Sequence, residues 1–330
     1  MNSLSSSGLD PCIFCNSPMR DEPNLTEIDD RRLDIHGVWS SHSCSNCGLE
    51  NIQPRPSMET LVSLYEKHYN QVEEQNPRGL YAKIREFIMN TKVYRLWVWL
   101  DGDVGFHLSP PPEGRRRILD VGCNQGRGMV QFRRSGFADV EGLDINPVAA
   151  AQAASLGFTV FSGPVMNFFP EQRFDVVVLA NVLEHCPIPM TTLSNVARLV
   201  KPEGEVWLSV PNADSHWRRL FGRAWINWHP PFHIAFYGRS SLQAILAETG
   251  FEVVDIKSVT PGLWLAQSLL SLRFSRVRKP NRKLRNPLAI SLVLLAILLV
   301  RMLSLELLWG RIIKLRNRDA LIVRARLARG

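Results

Sequence analysis

The sequence predicts an α/β fold, a doubly wound parallel sheet preceded by a small cysteine-bearing module and interrupted by a helical insertion before its final strand. Three observations point there. From Arg117 onward short apolar runs alternate with helix-periodic stretches, the pattern of strands buried on both faces. The first of these runs ends in DVGCNQGRG (120–128), a glycine-rich strand-to-helix turn. Near the start, Cys12/Cys15 and Cys44/Cys47 form two C-x2-C pairs separated by 28 residues.

Taken in order, residues 1–56 make the cysteine module, closed off by the prolines of NIQPRP. Residues 57–110 read as a helical linker or lid, with METLVSLYEKHYN and LYAKIREFIMNTKVYRLWVWL spaced three and four apart in their apolar positions. Residues 111–260 form the core: ILDV, a helix from Gly126 to about Ser135, DVEGLDI, PVAAAQAASLG, TVFSG, FDVVVLAN, MTTLSNVARLV, EVWLSVPN, SSLQAILAETG and EVVDIKSV. Residues 261–318 break the order with an apolar segment, a basic run and a hydrophobic helix. Residues 319–330, with DALIVRARLA, read as one last strand.

The chain carries 39 Lys and Arg against 31 Asp and Glu, unevenly spread. Residues 261–330 hold 15 basic residues against Glu306 and Asp319, so the body before them is mildly acidic. MNSLSSSGLD shows neither the basic nor the apolar region of a signal peptide, and the unpaired cysteines suit a reducing interior. The expected location is therefore the cytoplasm.

In open α/β sheets ligands bind beyond the carboxyl ends of the strands, where the first turn meets a helix N-terminus. Gly122 and Gly126 allow close backbone approach, and Asn124 tolerates positive φ better than most residues. A pyrophosphate would meet the charge of Asp120, whereas the ammonium of a methionine moiety would be attracted to it. Asp144 ends the next strand, where a carboxylate can accept ribose hydroxyls.

The stretch from Arg117 to Val254 resembles the class I S-adenosylmethionine (SAM)-dependent methyltransferases, which have a Rossmann-like sheet. DVGCNQGRG corresponds to their first motif, GLDINP to their ribose motif, FDVVVLANVLEHCPIP to the fourth strand and its exit, and LVKPEGEVWLSVPN to the approach to the fifth. The resemblance implies that Gly122, Asn124 and Gly126 line the methionine and ribose. It places Asp144 and Ile145 at the ribose and adenine, Val165 and Met166 beside the adenine, and Asn181 toward the methionine end. Asn124 stands where the family usually has glycine, and SGPVMN lacks the common adenine-side acid.

Four thiolates on two knuckles match tetrahedral zinc with no open position, a structural site formed by Cys12, Cys15, Cys44 and Cys47. With CGLENIQPRPSMETLVSLYEKHYN, the module resembles zinc modules fused to bacterial methyltransferases of sugar and cell-surface-glycan pathways. Such modules also precede methyltransferases of other substrates, ribosomal RNA included.

Methyl transfer needs an aligned acceptor and, for a hydroxyl, a proton acceptor. His185, in NVLEHCP, and His233, in HPPFHIAFY, are the candidate bases, with His229 alongside. The alternative is that Glu184 and His185 merely stabilise a turn. Trp217, Trp225 and Trp228 could stack on an acceptor ring or belong to the core.

RFSRVRKPNRKLR (273–285) carries seven basic residues and no acid, and LAISLVLLAILLV follows. Thirteen uncharged residues give a helix of about 20 Å against roughly 30 Å of bilayer hydrocarbon. The expectation is an interfacial helix or hairpin peripheral to an anionic inner leaflet, or an insertion packed on protein. Without interleaved aromatics, the run does not read as a nucleic-acid surface. Nothing in the pattern gives an oligomeric state. The expected function is SAM-dependent methylation of a sugar or glycan precursor, lipid-linked at the membrane face. The alternatives are a quinone or lipid O-methyltransferase and a non-catalytic SAM- or RNA-binding adaptor.

Overall fold

In the computed structural model, the structure describes residues 8–33, 35–68, 117–274, 292–293, 296 and 317–328. The expected linker beyond His68 lies outside them, as do most of the basic run and the apolar stretch after it.

Alternation along single strands decides the central architecture. In β7 (Phe174–Ala180), Val177 and Leu179 enter one core with Leu193, Val196 and Leu199 of helix α4 (Pro189–Leu199) and Leu242, Ile245 and Leu246 of α6 (Arg239–Glu248). The intervening Val176 and Val178 enter a second core with Met129 and Phe132 of α2 (Arg127–Arg134) and Ala153 of α3 (Pro147–Ser155). A strand buried on both faces needs apolar residues at both parities, which is why FDVVVLA reads as a continuous run.

The remaining central strands are β4 (Arg117–Val121), β5 (Asp139–Asp144), β6 (Thr159–Ser162), β8 (Val200–Pro211), β10 (Phe251–Val259) and β11 (Ala320–Leu327). The order across the sheet is β10-β11-β8-β7-β4-β5-β6. Strands β4 to β8 pair in parallel, but β11 enters between β10 and β8 antiparallel to both. The sheet is thus mixed, where the sequence predicts a parallel one. An apolar run buried on both faces has the same pattern in either direction, so strand sense is not encoded in it.

Local signals set the helix starts. Asn146 caps α3 by accepting from the amides of Val148 and Ala149, and Pro147 occupies the first helical position. Ser215 caps the short α5 (His216–Phe221) in the same manner.

The N-terminal module is a sheet of β1 (Leu25–Ile28), β2 (Trp39–Ser43) and β3 (Glu50–Gln53), followed by α1 (Met58–His68). It is extended by β9 (Ala235–Phe236), which pairs antiparallel with β3. Ile28, Trp39 and Ile52 share one core with Phe221, Trp225, Trp228, Ile234 and Phe236, and with Leu265 and Ala266 of α7 (Gly262–Phe274). Trp225 and Trp228 are fully buried, with indole N–H groups donated to Asp319 (2.7 Å) and the Gly222 carbonyl (2.8 Å). These two tryptophans therefore build core and do not present a stacking face.

Arg218 of α5 pairs with Glu50 of β3, and the side chains are only 13% and 8% exposed. The guanidinium also lies 4.6 Å from the Trp228 ring centroid. Removing one partner of a buried pair leaves an uncompensated charge and costs about 3–5 kcal/mol. Glu50→Ala should lower the unfolding free energy by about 3 kcal/mol in chemical denaturation. A loss below about 1 kcal/mol would show that the pair does not join module to core.

Candidate active site

The glycine turn is shaped by what crosses it. Gly122 has φ 72°, and a Cβ there would stand 2.6 Å from Cγ2 of Val182, so no larger residue fits without displacing the turn after β7. Gly126, at φ 79°, precedes α2 and lies against Ala153. Asn124 takes positive φ (49°), as expected of it. Its amide donates to Asp144 Oδ2 (2.7 Å), and the Asn146 amide donates to Oδ1 (2.8 Å). Asp144 thus ties the turn after β4 to the end of β5, and each carboxylate oxygen retains a lone pair.

Asp120 is 4% exposed, and no donor among the described residues reaches its carboxylate. Burial, with Asp144 nearby, pushes it up to about 7. Ile145 (59% exposed) and Met166 (43%) leave apolar surface bare, whereas Val165 is buried. These residues follow the neighbouring strands β5 and β6 at one end of the sheet. Asn181, also at positive φ (55°), is held by β8: its amide reaches the Ser209 carbonyl (3.0 Å), and Ser209 Oγ donates to its Oδ1 (3.1 Å).

The 3-10 turn Leu183–His185 is fastened to the segment around β9, because Ile234 N donates to the Glu184 carbonyl (2.9 Å) and Tyr237 Oη to that of Leu183 (3.3 Å). His185 Nδ1 lies 3.0 Å from the Phe232 carbonyl and 2.9 Å from Tyr65 Oη. A carbonyl can only accept, so Nδ1 carries the proton and Nε2 the lone pair. His233 Nδ1 likewise donates to the Asn227 carbonyl (2.7 Å). Burial, aided by neighbouring cationic groups, lowers His185 to about 3 and His233 well below its usual value, so both rings are neutral. The rings stand 4.6 Å apart between centroids.

Sequence reasoning missed the supports of this cluster. Arg32 reaches from the N-terminal module to the Ile226 carbonyl (3.1 Å) and Asn227 Oδ1 (2.8 Å), and Asp30 meets His229 at 3.3 Å. Tyr65 comes from α1. No local pattern marks their role in the cluster, since the histidine and asparagine they meet there lie 120 to 199 residues away, although Asp30 also accepts from the nearby amides of Arg32, Leu33 and Ile35.

The four cysteine sulfurs converge, with Cys12–Cys47 at 3.6 Å, Cys15–Cys44 at 3.4 Å and Cys15–Cys47 at 3.5 Å. Tetrahedral zinc with bonds near 2.3 Å would set such edges at about 3.8 Å. Amides of Phe14, Asn46 and Cys47 point at the Cys12 and Cys44 sulfurs, as charged thiolates require. Burial pushes Cys12 up to about 11, whereas at Cys15 hydrogen bonds from Ser17 and the neighbouring cysteines outweigh burial and bring it down to about 6. The residues fit a metal.

A glycine turn at the carboxyl end of the first central strand of an open α/β sheet is where such folds bind their ligands. Residues 103–256 match the family described as a methyltransferase domain. A ubiquinone biosynthesis O-methyltransferase of Burkholderia vietnamiensis is 30% identical over 160 residues, 44% of this chain and 68% of that protein. Its Proteus mirabilis counterpart is 38% identical over 105 residues, 29% of this chain. The chain spans 42% of that relative's length. In fold it is similar to the [4+2]-cyclase SpnF, with TM-score 0.50 and 16% identity over 84% of this chain and 98% of that one. The chain belongs to the class I SAM-dependent methyltransferases.

The acid beside the turn makes cofactor binding depend on pH. Protonated Asp120 has no charge to offer an ammonium, and its free-state value is about 7. Affinity for S-adenosylhomocysteine should therefore rise from about pH 5.5 to about pH 8, by up to tenfold per unit below 7. Calorimetry across that range checks it: Asp120→Asn should bind weakly with a flat profile, and a wild-type profile equally flat would remove Asp120 from the ammonium site.

Proposed function

We propose that the protein transfers a methyl group from SAM to a hydroxyl oxygen of a small aromatic acceptor, with quinone precursors the first class to test. The observation that carries the cofactor half is the buried Asp120 carboxylate beside the glycine turn, which no donor among the described residues reaches. Asp120 would hold the ammonium, while Gly122, Asn124 and Gly126 let the backbone approach the methionine and ribose. Asp144 would accept the ribose hydroxyls on its remaining lone pairs. Ile145, Val165 and Met166 would contact the adenine, and Asn181 would stand at the methionine end. Bound there, SAM supplies an electrophilic methyl on a positively charged sulfur.

His185 and His233 would face the acceptor. Val182, which fills the space above Gly122, directly precedes the turn that carries Glu184 and His185, so this cluster adjoins the cofactor turn. The O-methyltransferase names of the relatives support an oxygen acceptor. Zinc on Cys12, Cys15, Cys44 and Cys47 would be structural, holding the knuckles against the core.

The acceptor is met at a membrane surface in this reading. No helix among the described residues is long and apolar enough to cross a membrane. Yet α7 leaves Leu263, Leu269 and Leu272 between 41% and 46% exposed, immediately before the basic run. An exposed apolar helix followed by positive charge suits peripheral contact with anionic lipid on the cytoplasmic side. A second reading, methylation of a sugar or lipid-linked glycan precursor, is favoured by the two-knuckle module.

Incubation with methyl-labelled SAM and fractionated envelope extracts separates the readings. Label should enter the quinone-precursor fraction and fall more than tenfold with Asp144→Ala, which removes two charge-assisted acceptors. Label in the polysaccharide fraction would favour the glycan reading. Binding of S-adenosylhomocysteine without transfer to any fraction would mean a non-catalytic role.

A further inference from the structure

Glu184 lies at the centre of the histidine cluster in an arrangement a turn-stabilising residue would not adopt. Its side chain is 1% exposed, and among the described residues neither carboxylate oxygen has a hydrogen-bond partner. Burial pushes it up to about 8, against the nearby positive charge of Arg32, so without a bound cation the carboxyl keeps its proton. One ligand atom each from Glu184, His185 and His233 lies within 4.8 Å of the others.

The two rings are already prepared as ligands. Each spends Nδ1–H on a backbone carbonyl, Phe232 for His185 and Asn227 for His233, which leaves Nε2 as a lone-pair donor. This is the outer support that metal-bound imidazoles use. Arg32 braces Asn227 Oδ1 at 2.8 Å, so the support of His233 extends into the N-terminal module.

We propose that Glu184, His185 and His233 bind a divalent first-row transition ion in a two-imidazole, one-carboxylate site. Two imidazoles disfavour magnesium and calcium, which take oxygen ligands, and select manganese, iron, cobalt or zinc. Bonds near 2.1 Å would hold the three donors about 3.0–3.4 Å apart, so the cluster, whose ligand atoms lie within 4.8 Å, would tighten around the ion. Three protein ligands leave positions open for an outside oxygen. The role of the ion rests on the methyl-transfer reading: it would fix the acceptor's oxygen beside the cofactor turn and lower that hydroxyl's proton affinity, with the proton released to solvent.

The experiment uses the full chain with zinc already on its four cysteines, titrated with Mn(II), which thiolates disfavour. Loss of the free Mn(II) electron paramagnetic resonance signal should report one bound ion per chain. Glu184→Gln and His233→Gln should each weaken it about tenfold or more, with zinc content unchanged. Zinc content and heat of S-adenosylhomocysteine binding show that each variant is folded, and His185→Gln replaces any that is not. Failure of the wild type to bind Mn(II), or equal binding by all the folded variants, overturns the site. S-adenosylhomocysteine heat without Mn(II) binding sinks the metal site alone. Mn(II) binding without that heat upholds the site and sinks the methyl-transfer reading.

Discussion

One carboxylate organises the cofactor end of the sheet. Asp144 accepts the amides of both Asn124 and Asn146, so two loops that follow different strands share a single anchor. Charge-assisted bonds of this kind are shorter and stronger than neutral ones. They hold Asn124 at positive φ, which in turn fixes where Gly122 meets Val182 and hence where the turn carrying Glu184 and His185 begins. The second acid, Asp120, has no such partners among the described residues, so only Asp144 shapes the loop.

The opposite wall of the site comes from the far end of the chain. β9 pairs with β3, Glu184's carbonyl accepts from Ile234, and Arg32 holds Asn227 under His233. The N-terminal module, the segment 226–237 and the histidine cluster are therefore tied together. A metal on the four sulfurs would stiffen that module without touching substrate, consistent with a closed site.

The parts of this fold legible in the sequence are those with local causes. Strands buried on both faces betray themselves as unbroken apolar runs, Asn146 and Pro147 mark a helix start, and the two cysteine knuckles carry their own spacing. The direction of β11 was not legible, because burial on two faces is blind to strand sense. Nor could Ala235 and Phe236 be read as a strand completing the N-terminal sheet, since two residues carry no period. The histidines were visible as candidates, but Glu184 read as a turn residue. Only its burial without a partner, a property of the assembled structure, sets it apart. The link of Arg32 and Asp30 to the cluster had no signal, for Asn227 and His229 are nearly 200 residues distant.

The late antiparallel strand has a bearing on biosynthesis. β11 fills the gap between β8 and β10, yet 108 residues separate Pro211 from Ala320 along the chain. While the ribosome makes those residues, both neighbouring edges stand open, and Val206, Leu208 and Val210 have no covering strand. Open apolar edges invite pairing with other nascent chains. The domain can close only when Leu321 and Val323 emerge, so a chain stalled shortly before them would be a target for chaperones.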